Sequence, residues 1–158
     1  EWYENGQSKS EGKYVYLLPV GLVSEWYENG QKKSEVNHSL WDVAWQFEKE
    51  FRWGDPELIK SDKNYTKHGP LTFWDNQGNK TLEGSYKRGV KSGRWIAWYD
   101  TEPHKIVMNF IDGRGNGLWT SYYGNGLKRE EGYLKDDKRV GSWKKWDPMG
   151  ELVLEQEY

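Results

Sequence analysis

Trp95, Trp119 and Trp143 stand 24 residues apart, and Trp98, Tyr122 and Trp146 keep the same interval. A fixed internal period constrains the fold more than any single residue, because it marks a chain of stacked supersecondary units. The interval extends in both directions. Gly6, Gly30, Gly54, Gly78, Gly126 and Gly150 share one register, interrupted only by Glu102. Trp2, Trp26, Trp74, Trp98, Tyr122 and Trp146 share a second, interrupted at Glu50. Val23, Phe47, Leu71, Trp95, Trp119 and Trp143 form an apolar third. Glu11, Glu35, Glu83, Glu131 and Glu155 form a fourth, with Ile59 and Val107 as exceptions. Tyr14, Tyr86, Phe110, Leu134 and Tyr158 form a fifth, with His38 and Asp62 as gaps. The rows describe one repeat domain over residues 1–158, about six and a half repeats with no net insertion or deletion.

Each repeat reads as a β-hairpin. Asn-Gly in Glu28-Asn29-Gly30-Gln31 is a strong short-range hairpin signal, and it predicts positive φ at both central residues. The same turn is expected at Asn5-Gly6 and Asn125-Gly126, with looser versions ending at Gly78 and Gly150. A second, charged connection recurs at Lys87–Gly93, Ile111–Gly117 and Lys135–Gly141. The fold class is therefore all-β, an elongated antiparallel meander of 24-residue hairpins. Strand alternation places Trp95, Ala97 and Tyr99 on one face and Ile96 and Trp98 on the other. Trp95, Trp119 and Trp143 are expected to pack repeat against repeat, with Gly30, Gly78, Gly126 and Gly150 shaping the turns. The row Trp26, Trp74, Trp98, Tyr122 and Trp146 is the candidate binding surface, because regularly spaced exposed rings mark interaction sites.

Two stretches fit the period poorly. Tyr14–Gly21 is apolar where a polar turn belongs. In residues 39–53, Leu40, Ala44, Phe47 and Phe51 fall at helical spacing after a capping Ser39. Phe47 and Gly54 nevertheless keep their registers. A degenerate β-repeat over 36–68 is favoured, with a helical insertion as the alternative.

Composition narrows the function classes. The chain is 16% aromatic with 11 Trp but only 35% hydrophobic, so rings supply most of the area available for burial. A formal net charge of -2 gives no basic footprint for nucleic acid and no polybasic attraction to lipid. Cysteine is absent, which excludes disulfides and thiolate metal sites. The apolar run Val15–Val23 is broken by Pro19 and Gly21 and falls short of the roughly 20 residues of a spanning helix. The chain opens at Glu1 inside a repeat, so upstream residues are expected and the compartment stays open.

Chemistry-bearing constellations are not found. His38, His68 and His104 occupy different repeat positions and lack metal-ligand spacing. Equivalent glutamates of successive hairpins are expected about 10 Å apart, two strand spacings. That is too far for a paired-carboxylate hydrolase. Cross-strand pairing with Lys80, Lys105, Lys128 or Arg129 is the expected role of this row. Gly113-Arg-Gly115-Asn-Gly117 reads as a turn, since no Lys-Ser/Thr follows it. No catalytic residue, metal or cofactor is expected.

The motif Trp26-Tyr-Glu-Asn-Gly-Gln-Lys-Lys-Ser-Glu35 and the unit Glu131-Gly-Tyr through Gly141-Ser-Trp143 resemble the bacterial variant of the MORN repeat. The resemblance is strong over 1–12, 24–35 and 69–158 and weak over 36–68. It implies an open, twisted hairpin meander without catalytic machinery. Many proteins of that family carry an antitoxin label, and eukaryotic relatives look like scaffolds. The expected function is a non-enzymatic binding or scaffold module for a protein partner, with toxin neutralisation as one form. A carbohydrate-binding surface module is the first alternative, resting on Trp density. End-to-end self-association through unpaired strand edges is the second.

Overall fold

The computed structural model describes residues 1–15, 18–39 and 67–158. They form twelve strands: β1 (Ser10–Val15), β2 (Leu18–Trp26), β3 (Lys32–His38), β4 (Lys67–Trp74), β5 (Lys80–Lys87) and β6 (Val90–Trp98), then β7 (Lys105–Ile111), β8 (Arg114–Gly115), β9 (Gly117–Tyr122), β10 (Lys128–Lys135), β11 (Lys138–Trp146) and β12 (Leu152–Glu157). The fold is an all-β antiparallel meander whose strand order follows the chain, with the short β8 pairing off the path to β7. Two compact units are present, Glu1–Lys80 with Ser85–Val90, and Thr81–Gly84 with Lys91–Tyr158.

Two turn chemistries alternate, and the Asn-Gly turn is not the type expected from the sequence. At Glu28-Asn29-Gly30 the Gly30 amide donates to Tyr27 O at 2.9 Å and the Tyr27 amide to Gln31 O at 2.8 Å. Only Gly30 has positive φ (83°); Asn5, Asn29 and Asn125 do not. This is a three-residue loop in which a type I turn is followed by a left-handed glycine, not the two-residue turn with positive φ at both positions. Asparagine is useful here for its side chain: Asn29 Oδ1 accepts the Gln31 amide at 3.0 Å, as Asn5 and Asn125 do for Gln7 and Leu127. Asp75 and Asp147 replace it from two positions earlier, each accepting two turn amides at 2.9 Å. The paired positive φ values belong to the second connection: Arg88 (52°) with Gly89 (77°), Asp112 (49°) with Gly113 (81°), and Asp136 (50°) with Asp137 (67°). These two-residue turns match the right-handed strand twist.

The apolar stretch near Pro19 is strand, not misplaced turn. Lys13, Tyr14 and Val15 pair with Val20, Pro19 and Leu18.

The ladder passes over one period. Glu11 faces Ser24 and Glu131 faces Lys144, each thirteen residues on. Glu35 instead faces Thr72, thirty-seven residues on, one 24-residue period more. Val36 pairs with Leu71 and His38 with Lys67, so β3 lies directly against β4. The choice between degenerate repeat and helix for 39–53 falls outside the described residues from 40 onward. Side chains follow the same step. Tyr3 Oη donates to Trp26 O and Tyr123 Oη to Trp146 O, both at 2.8 Å and 23 residues apart, whereas Tyr27 Oη reaches Trp74 O at 2.9 Å across 47. Asn5, Asn125 and Asn29 repeat the pattern onto Glu28, Pro148 and Asn76 carbonyls.

Among the described residues the buried apolar ones are Val23, Leu71, Trp95 and Trp143, all from the third row. Their burial depends on a bare backbone opposite. A Cβ on Gly132 would lie 2.2 Å from the Trp143 ring, one on Gly84 2.3 Å from Trp95, and one on Gly12 2.8 Å from Val23. The register of Gly12, Gly84 and Gly132 is a sixth row that the sequence reading missed. Where this row holds Val36, the facing residue is the smaller Leu71. Eleven positions before Trp119 the chain has Met108 instead of glycine, and Trp119 is only half-buried.

Candidate binding face

The candidate row falls at the strand ends. In the first unit Trp26 closes β2 and Trp74 closes β4; in the second Trp98 closes β6, Tyr122 closes β9 and Trp146 closes β11. All five rings are half-buried. Three carry an ammonium: Lys32 Nζ lies 5.8 Å from the Trp26 centroid, Lys105 4.1 Å from Tyr122 and Lys128 5.9 Å from Trp146. Such cation–π contacts contribute about 0.5–1 kcal/mol at exposed sites. Lys32 is also ion-paired with Glu35, and Lys128 with Glu131 at 2.6 Å.

The glutamate row thus fixes two of these lysines, Lys32 and Lys128, beside their rings. Of the four expected cationic partners, Lys128 does pair with this row, but along β10 and not across strands. Glu155 makes a cross-strand contact to Lys144 at 3.5 Å and accepts from Ser142 Oγ at 2.6 Å. The Ser142 bond, followed by the Lys144 charge, holds the Glu155 carboxyl below its ordinary range.

A second set of cations covers the structural rings. Lys67 lies 5.2 Å from the Tyr86 ring. Lys91 stands between Trp95 (4.8 Å) and Phe110 (4.9 Å), and Arg139 between Trp143 (4.0 Å) and Tyr158 (5.4 Å). The ring nineteen residues after each cation is Tyr86, Phe110 or Tyr158. Where that ring is Leu134, the cation position is Gly115. This coupled row was legible in the sequence, though it shows only once the hairpin register is known. Trp119 and Trp143 pack with their rings tilted by 34° and 5.3 Å between centroids, and Trp143 Nε1 donates to Tyr133 O at 3.2 Å.

The structural turn glycines Gly30, Gly78, Gly126 and Gly150 all have positive φ. Glu102, the exception in that row, accepts the Gly124 amide at 3.2 Å, while His104 Nδ1 lies 3.1 Å from Tyr99 O. The β3–β4 pairing brings His38 and His68 onto adjacent strands. Burial, with a smaller effect of the Lys67 charge, lowers the His38 pKa. Among the described residues no three His, Asp or Glu side chains gather in a metal-binding arrangement.

A family model described as MORN repeat variant matches residues 19–39, which is the β2–β3 hairpin with its Asn29-Gly30 turn. The search of curated proteins returns no match. The matched unit is a generic repeat module often found in binding or scaffold roles. Over residues 19–39 the chain is similar to a MORN repeat variant, and that hairpin is part of the all-β meander described above.

Proposed function

We propose that the chain is a non-enzymatic binding or scaffold module for a protein partner, engaged through the half-buried row Trp26, Trp74, Trp98, Tyr122 and Trp146. The observation that carries this reading is the placement of one partly exposed ring at each of these strand ends, three of them with a lysine head above. Aromatic rings are the side chains that most often anchor protein interfaces. The lysines occupy one face of three rings, where a sugar would stack, and this favours a protein over a glycan. Neutralising a toxin by covering it is the finer form of the reading and rests on the resemblance alone.

The test is photo-crosslinking in source cells with benzoylphenylalanine at Trp74 or Trp98, and at the exposed turn residue Met149 as control. Discrete adducts from the row alone are expected. Equal adducts from Met149, or none from the row, would count against the reading. Ring-shift NMR on a glycan panel tests the sugar alternative.

A further inference from the structure

A cleft of about 160 Å³ lies in the second unit, lined by Tyr123, Arg129, Glu130, Lys145, Trp146 and Val153. The hairpin register explains how it is charged. Arg129 sits at the irregularity where Lys128 pairs with Tyr122 and Glu130 with Ser121. An extra residue in a strand re-aims its side chain. The equivalent residues in the first two repeats are lysines that each find a carboxylate eight positions earlier: Lys9 with Glu1 at 3.8 Å and Lys33 with Glu25 at 3.6 Å. Lys105 has Ala97 at that place and turns to the Tyr122 ring instead. Arg129 has Ser121, and among the described residues its guanidinium has no ion pair, hydrogen bond or ring contact.

The missing carboxylate has crossed the ladder. Glu25 faces Ser34, whereas Ser121 faces Glu130. Glu130 is then taken by Arg139 Nη1 at 2.8 Å and Lys145 Nζ at 3.9 Å. Arg139 and Lys145 therefore share one carboxylate and Arg129 is left without one, while the Ser121 hydroxyl and Glu130 Oε1 are both buried without a hydrogen bond. Arg129 and Lys145 face the cleft beside the Trp146 and Tyr123 rings.

We propose that this cleft receives the carboxylate of an acidic side chain from a protein partner, with Arg129 as its main ligand, Lys145 as the second charge, and Trp146 and Tyr123 holding the flanking apolar residue. An Arg–carboxylate pair in a partly desolvated cleft has the geometry for two parallel hydrogen bonds. The proposal rests on the protein-partner reading and adds the chemistry that would be recognised.

The test uses the full chain labelled with 15N and the peptide acetyl-Leu-Glu-Leu-Glu-Leu-Glu-amide, with its all-Gln counterpart and glucuronate as comparisons. Saturable shifts of the Arg129 Nε–H and Trp146 Nε1–H resonances are expected with the Glu peptide only. Arg129→Gln should weaken binding by about tenfold or more, and Arg94→Gln should leave it unchanged. The double swap Ser121→Glu with Glu130→Ser copies the Glu25–Ser34 pair and should abolish binding while Arg129 remains. No saturable shift, equal binding of the Gln peptide, equal shifts with glucuronate, or wild-type binding by Arg129→Gln or by the swap would each overturn the proposal. Crosslinks from Trp74 and Trp98 that persist in Arg129→Gln would show that the carboxylate site has failed while the broader reading stands.

Discussion

Substituting Gly132 by alanine tests the packing rule on which the second unit rests. The added Cβ would sit 2.2 Å from Trp143 Cδ2, 2.3 Å from Cε2 and 2.5 Å from Cγ. Ordinary contact begins near 3.4 Å, so the indole must retreat by about 1.2 Å. Trp143 is 3% exposed and packed against Arg139 at 4.0 Å and Trp119 at 5.3 Å, so its retreat displaces packed neighbours. Overpacking a core position costs roughly 1–3 kcal/mol. Retreat also stretches the Nε1 bond to Tyr133 O, worth about 1 kcal/mol. The expected loss is about 2–4 kcal/mol in urea unfolding followed by tryptophan fluorescence. Gly126→Ala is the control: φ is +84° and nothing lies within 4 Å of the new Cβ, so only backbone strain of about 1–2 kcal/mol applies. The chain also contains its own solution to the same steric problem in Val36 facing Leu71. Gly132→Val combined with Trp143→Leu should therefore cost less than the sum of the single changes by about 1 kcal/mol or more. An additive double variant, or Gly132→Ala no worse than Gly126→Ala, would refute the reasoning.

Replacing residues 40–65 by Asp-Gly should leave the β3–β4 ladder intact, because His38 already pairs with Lys67 and a short connection spans a directly paired couple; loss of amide protection at Val36 and Leu71 in hydrogen exchange would contradict this. Asp136→Gly should raise stability by about 0.5–1 kcal/mol by relieving a positive φ of 50°. Asp137→Gly should gain less, since Asp137 Oδ1 also accepts the Gly115 amide at 2.6 Å; equal melting-temperature shifts for the two would argue otherwise. His38 has a folded pKa below its ordinary 6.5, so its neutral form is favoured by folding. Its contribution should be complete above pH 6.5 and fall away as pH drops through the folded value, and His38→Gln should flatten that part of the stability–pH curve.

Local chemistry made much of this protein legible from its residues. The 24-residue rows located the hairpins, placed Trp95 and Trp143 on one face and Trp98 on the other, and marked Gly30 and Gly126 as turn residues. The rows under the rings, Gly12, Gly84 and Gly132, and over them, Lys67, Lys91 and Arg139, were equally periodic. Their meaning needed the cross-strand register, because the glycine contacts join residues eleven positions apart and the cations reach rings nineteen positions on as well as rings on their own strand. The turn types were settled by φ: two-residue turns take up the strand twist at Asp112-Gly113, while Asn29 acts through its side-chain oxygen.

The strand beside β3 was beyond local reading. A periodic chain offers the same pairing register once in every period, so Glu35 can align with a leading strand one repeat on or two repeats on without moving any row. Backbone hydrogen bonds hardly distinguish these choices. The fit of side chains does, and it set Leu71 against Val36 and carried the Tyr27 hydroxyl across 47 residues to Trp74.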